Sequence, residues 1–443
     1  MQILCRVEAD SIEKSKMADV PEENRKIKAD EKIASGSDDS RHATDTKERK
    51  SHTTVFDLNL ECWTMIMDYQ CVEDQLSLAC SNVWIEQMFK EYARYRHKHI
   101  DYKVMSHFDE DDGEKLLKMI GEHVVSYDSS RNPKAIQYCP NLQHLLMEFK
   151  SDNECGPGEF EWGLHSLKKL QTFSADLNNE FNADVLTKIV DSLKECTSLR
   201  KLQLCAFFFN GIGLHRLDQL EYLDLLIYDG FEAKSLRAIC QSMKQLRRLE
   251  IKTHVNKMNK KTLEILAENC KQLECLILGG NIVNLRWPYE LICQLPKLRH
   301  LQVHYRKGLR HELIEGLVNK KDSHLESLIL KGCALSLQQV QHICKISTLK
   351  ELHVPSKIVP LADLQKLTNL LYLHITMPDM GPNQDLDLKK ALPRVQASVT
   401  EQKEHLGFAY SYVNIPPTLM NRKKVGLDWT RPRLDHKLKF GFP

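Results

Sequence analysis

Long apolar runs are missing from this chain. Nowhere in its 443 residues is there a stretch near the ~20 apolar residues that a membrane-crossing helix needs. No membrane attachment is therefore expected. The opening Met1-Gln2-Ile3-Leu4-Cys5-Arg6 also lacks the longer apolar core of a secretory leader, so the expected location is cytoplasmic or nuclear. Charge imbalance is missing too. A formal net charge of +2 gives no general attraction to nucleic acid or an anionic lipid surface. The fourteen cysteines include no C-x-x-C pair and no zinc-finger spacing with histidine. In a chain with no leader they read as reduced and mostly buried thiols. Enzyme signatures are absent as well: no G-x-x-x-x-G-K-[ST], no G-x-G-x-x-G opening a helix, no G-x-S-x-G and no H-E-x-x-H. A non-catalytic protein with no cofactor and no metal is expected.

The ends of the chain carry charge without pattern. Residues 1–52 hold 11 Lys/Arg and 12 Asp/Glu with no apolar period, a composition that cannot bury enough surface to order itself. This segment reads as a disordered tail. The last 23 residues, 421–443, hold seven Lys/Arg and two Asp around Trp429, Phe440 and Phe442. Basic residues between aromatics can bind nucleic acid. The commoner fate of such a tail is to cover the end of a repeat array, so nucleic acid is not the expected partner. Residues 381–443 are read as a C-terminal basic tail.

Between these ends a motif L-x-x-L-x-L recurs ten times, with apolar substitutions. It runs from Leu142-Leu145-Met147, Leu167-Leu170-Thr172 and Leu199-Leu202-Leu204 to Leu349-Leu352-Val354 and Leu370-Leu373-Ile375, with a mean period of about 25 residues. A weaker unit at Val124-Val125-Ser126-Tyr127 precedes it. This period is that of leucine-rich repeats, each a short strand followed by a helix or turn. One unit cannot bury its own leucines, each worth about 1.5–3 kcal/mol when covered; stacking the units makes a continuous core. Residues 114–380 are therefore expected to form an α/β horseshoe solenoid. Only Asn281 and Cys333 supply the usual Asn or Cys at the turn, where Phe207, Tyr228, His254 and Arg306 stand instead, so some turns should be irregular. Cys139, Cys196 and Cys270 each precede a repeat leucine by three residues and should close the convex layer as buried thiols.

Strand alternation then assigns the opposite side chains to the open, concave face. Those expected to meet a protein target are Tyr222, Asp224, Arg248, Glu250, Lys252, Ile277, His300, His304, Ile329, Lys331, His353, Tyr372 and His374. Tyrosine and arginine are the residue types that anchor protein interfaces. The histidines His300, His304, His353 and His374 invite a metal or pH-switch reading, but no carboxylate or thiol completes a readable ligand set.

Ahead of the repeats, residues 53–96 form a dense apolar stretch joined to the array by a connector, 97–113. Its first helix has two apolar faces, Trp63, Ile66 and Met67 on one and Cys62, Met65 and Tyr69 on the other. A helix apolar on both sides must be covered on both, and a module of about 45 residues is too small to do so alone. Leu58-x-x-Glu61, Ile66, Tyr69, Asp74-x-Leu76-x-Leu78-Ala79-Cys80 and Trp84 follow the order of an F-box. Asn59 stands where that motif usually has proline, and Gln70 where it has leucine. The chain resembles the F-box/leucine-rich-repeat proteins, a resemblance that spans about residues 53–380. It implies a substrate receptor of an SCF-type ubiquitin ligase. The Skp adaptor, which leads to the cullin–RING core, would be held by Leu58, Leu60, Trp63, Ile66, Met67, Tyr69, Leu76, Leu78 and Trp84. The competing readings are a repeat scaffold or inhibitor without ubiquitin chemistry, and an RNA-associated repeat protein acting through the basic tail.

Overall fold

The computed structural model describes residues 55–401 apart from 129–132, 149–162, 178–182, 254–258, 284–287, 306–308, 321 and 380–383. The tail readings for 1–52 and 402–443 lie outside the described residues.

The front module is three helices: α1 Leu60–Asp68, α2 Val72–Ser81 and α3 Val83–Arg96. Asn59 takes the proline position because it caps α1, its Oδ1 accepting from the Cys62 N–H at 2.9 Å. Trp63 and Met67 turn inward, and the Trp63 ring meets Trp84 edge-on at 5.5 Å. Gln75 is buried between α1 and the chain leaving α3. Its amide donates to the Met67 and Gln70 carbonyls at 2.8 and 3.2 Å, and its Oε1 accepts from His97 Nε2 at 2.9 Å. One side chain thus satisfies the end of α1 and fixes the exit from α3.

Thirteen parallel strands follow, each hydrogen-bonded to the next in strict sequence order. They are β1 His99–Ile100, β2 Ser126–Asp128, β3 His144–Glu148, β4 Thr172–Leu177, β5 Lys201–Phe208, β6 Tyr222–Asp229 and β7 Arg248–Thr253. Then come β8 Cys275–Val283, β9 His300–Tyr305, β10 Ser327–Gly332, β11 Glu351–Pro355, β12 Tyr372–Met377 and β13 Gln396–Glu401. Helices return the chain behind this sheet. They are α4 Tyr102–Met105, α5 Glu110–Ile120, α6 Ala183–Leu193, α7 Ala233–Ser242, α8 Lys260–Asn269, α9 His311–Val318, α10 Leu337–Ile343, α11 Leu361–Leu364 and α12 Gln384–Ala391; 3-10 turns such as Leu214–Arg216 serve the remaining units. Strictly sequential parallel pairing with helical returns is an α/β leucine-rich-repeat solenoid. One apolar core runs from Trp63 to Val399, and α3 packs against α5, so the module and the first repeat share an interior.

The register holds for nine of the ten expected motifs. The exception is Leu167-Leu170-Thr172. Thr172 pairs with His144 on the open side, and the inward residues are Phe173 and Ala175, so the unit is Leu170-x-x-Phe173-x-Ala175. The array also extends past both expected ends. The 97–113 connector contains β1 and the start of the first helical return, and β13 lies within the stretch read as tail. Ala397 and Val399 point inward there, small and β-branched residues that carry no leucine signature. Cys139, Cys196 and Cys270 are buried. Burial pushes the Cys139 thiol up to about 12 and Cys196 to about 11, as expected of inert packing thiols.

Candidate functional site

The open face of the sheet is ruled into rows, because parallel strands in register place equivalent residues side by side. One row carries Tyr222, Arg248, Cys275, His300, Ser327, Glu351 and Tyr372. The next carries Asp224, Glu250, Ile277, Gln302, Ile329, His353 and His374. Lys252 pairs with Gly279 and His304 with Lys331 in a third, Gly279 lying against His304 where the β8–β9 register shifts after Leu278. All thirteen residues assigned to this face from the sequence lie in these rows.

Four of them are nevertheless too deep to be contact residues. Arg248, Ile277, His300 and Ile329 are each less than a tenth exposed, since strands about 4.8 Å apart let long neighbours close over the row between them. Arg248 is the centre of an ionic cluster. Its Nε donates to Asp224 Oδ1 at 3.0 Å, its Nη2 pairs with Glu250, and Glu250 also holds Lys252. Burial alone raises the Glu250 carboxyl; the Lys252 and Arg248 charges override it and hold it at about 2. Three strands away a second polar cluster forms. Ser327 Oγ donates to buried Glu351, which faces His353 Nε2 at 3.3 Å. The His353 and His374 rings lie 5.2 Å apart, and His374 Nδ1 meets Ser398 Oγ at 2.8 Å. Burial drives the His300 imidazole down to about 4. Lys252, Lys331, Tyr222, Tyr372, His353 and His374 stay at least partly open and form the accessible part of the face, with Lys201 set 4.7 Å over the Tyr222 ring.

Sequence reasoning missed two features. Ser398 and Thr400 extend the face through β13, hidden by the absence of leucine. At the strand ends, Phe207 stacks on Tyr228 with centroids 4.6 Å apart, and Phe207, Phe208 and Ile212 are all more than two-fifths exposed. Phe207 and Tyr228 occupy the turn position where Asn or Cys was sought, so the departure from the repeat pattern was itself the signal.

The nine residues expected to hold an adaptor divide. Trp63, Met67 and Leu76 are buried inside the module and are corrected to core residues, because the three helices consume the first apolar face of α1. Leu58, Ile66, Leu78 and Trp84 are partly buried against the same core. Leu60 and Tyr69 face outward, together with Met65, which was not assigned.

No family model matches this chain, and no curated protein matches it significantly. Solved structures that share similarity include an internalin from Listeria monocytogenes, 18% identical, covering 60% of this chain and 76% of that one at a TM-score of 0.40. A TLR13–ssRNA13 complex is 17% identical over 66% of this chain and 45% of that one, TM-score 0.42. A yeast Rad7–Elc1 complex is 14% identical over 79% and 95%, TM-score 0.41. The solenoid assignment rests on this chain's own sheet. No described helix is long and apolar enough to cross a membrane.

Proposed function

We propose that this chain is a substrate-recognition subunit of an SCF-type ubiquitin ligase. Its front module docks the Skp adaptor, which leads to the cullin–RING core, and the open face of the solenoid holds a protein target. Catalysis belongs to the associated proteins, and the chain acts by raising the target's effective concentration near them.

The observation that carries the reading is the outward face of α1. Met65 on α1 is 57% exposed and Tyr69, which ends the helix, is 93% exposed, while Trp63 and Met67 on the other face are buried. Large apolar groups left in water on a folded module are what a partner helix covers. The order of residues resembling an F-box names the class of partner. Target capture falls to Tyr222, Lys252, Lys331, His353, Tyr372 and His374, flanked by the Phe207–Tyr228 stack, a mixture of aromatics and both charge signs suited to a protein surface.

The test is capture of purified Skp-class adaptor by the full chain. Wild type should bind. Met65→Asp and Tyr69→Ala should lose binding while melting normally. Equal binding by both variants sends the docking face elsewhere. No binding by wild type sinks the ligase reading and leaves a repeat scaffold without ubiquitin chemistry.

A further inference from the structure

On the opposite side of the solenoid, the convex layer gathers a ligand set that the concave histidines do not. We propose that His311, Glu315 and His342 form a binding site for a divalent transition-metal ion of the zinc class, with water in the fourth position. His311 and Glu315 are one helical turn apart on α9, so they share a face, and His311 Nε2 lies 3.2 Å from Glu315 Oε1. His342 arrives from α10 in the next repeat, its ring edge-on to His311 with centroids 5.1 Å apart. One donor atom from each of the three residues lies within 4.8 Å of the others.

Tetrahedral bonds of about 2.0–2.2 Å hold donor atoms about 3.3–3.5 Å apart. The His311–Glu315 pair, at 3.2 Å, is within about 0.1 Å of that distance. His342 must close by at most about 1.5 Å, within the reach of a rotamer adjustment in a half-exposed side chain. The chemistry of the set selects the ion. Two imidazoles and one carboxylate suit zinc and its neighbours, whereas calcium and magnesium need a shell of oxygens. His311 and His342 line a cleft of about 400 Å³ together with Cys344, Lys345, Asp363 and Lys366. Lys345 opposes a cation there. The charge of Lys366 is offset by Asp363, 2.6 Å away. A bound ion ties α9 to α10 and so clamps two successive repeats.

The test uses the full chain, freed of metal by a chelator and titrated with Co²⁺ as the spectroscopic stand-in for Zn²⁺. Wild type should develop d–d absorption that Zn²⁺ abolishes. His311→Ala and His342→Ala should lose that absorption, and Glu315→Gln should bind more than about tenfold more weakly, since even outer residues of a metal site contribute that much. The wild-type-minus-variant spectrum should carry no thiolate charge-transfer band. Zn²⁺ should raise the melting temperature of wild type alone, with metal-free wild type and variants melting together. Identical spectra for wild type and the histidine variants, a thiolate band in the difference, or no uptake by wild type would each overturn the site.

Discussion

Arg247 and Glu274 stand one repeat apart at the edge of the sheet, Nη2 to Oε1 at 2.9 Å, and they are two rungs of a longer ladder. At this same position successive repeats place Arg200, Glu221, Arg247, Glu274, Arg299, Glu326 and Lys350, joined through their backbones by one hydrogen bond per repeat at 2.8–2.9 Å. The charges alternate along the whole run, and Arg299 and Lys350 both reach Glu326. Register forces neighbours of like position into contact, so like charges here would repel directly. Glu274→Lys sets three cations in a row. It should destabilise the chain by about 1–2 kcal/mol at low salt, and the loss should shrink as ionic strength rises because these pairs are partly exposed. Denaturant midpoints at two salt concentrations measure it; a salt-independent loss would assign the effect to packing instead.

This ladder is legible in principle in the sequence, but a period drawn from apolar positions alone passes over it. What those positions announced was the solenoid: Leu223 and Leu225 shelter against Leu249 and Ile251, and any sequence repeating that pattern must stack. They failed where the inward residues were not leucine, at Phe173–Ala175 and at Ala397–Val399. The front helix failed differently. Trp63 and Met65 are both large and apolar, and two faces of a short helix cannot be ranked from periodicity when either one could be the packed side. Only the tertiary partner, Trp84 against Trp63, decides it.

Gln75 offers a direct measure of how firmly the module is built. Gln75→Ala removes the donor to the end of α1 and the acceptor for His97 Nε2 in a site sealed from water. Leaving buried groups unsatisfied costs about 1–3 kcal/mol, which should appear as a lower denaturation midpoint at an unchanged slope. A variant as stable as wild type would show that water replaces the amide.

Acid should weaken the array through His300. Its buried imidazole has a folded-state pKa of about 4 against 6.5 for the ordinary group, so the unfolded chain binds more protons between those values. Stability contributed by the neutral form is therefore full above about pH 6.5 and falls as the pH drops toward 4, by about 3 kcal/mol at the limit. His300→Gln should flatten the part of the stability–pH curve between pH 4 and 6.5 relative to wild type. Parallel curves for the two proteins would remove His300 as the cause.

Arg248 should be the most costly single loss on the open face. Its guanidinium is buried and bridges Asp224 and Glu250, so Arg248→Ala removes the shared cation from two carboxylates in a site where water reaches them poorly, with Lys252 left on Glu250. Breaking one partner out of a buried ionic cluster costs about 3–5 kcal/mol. The pH dependence separates this from simple loss of packing. Glu250 is held at about 2 in the intact cluster, a depressed value that stabilises the fold above the ordinary carboxylate range and is lost as the pH falls through it. Without Arg248 only Lys252 opposes the effect of burial, so Glu250 titrates higher and the variant neutralises that carboxylate sooner on acidification. The stability gap between wild type and Arg248→Ala should accordingly be widest near pH 7 and narrow as the pH falls through the ordinary carboxylate range toward 2. A gap that stays constant over that range would mean that Arg248 acts through its methylene packing and not through its charge.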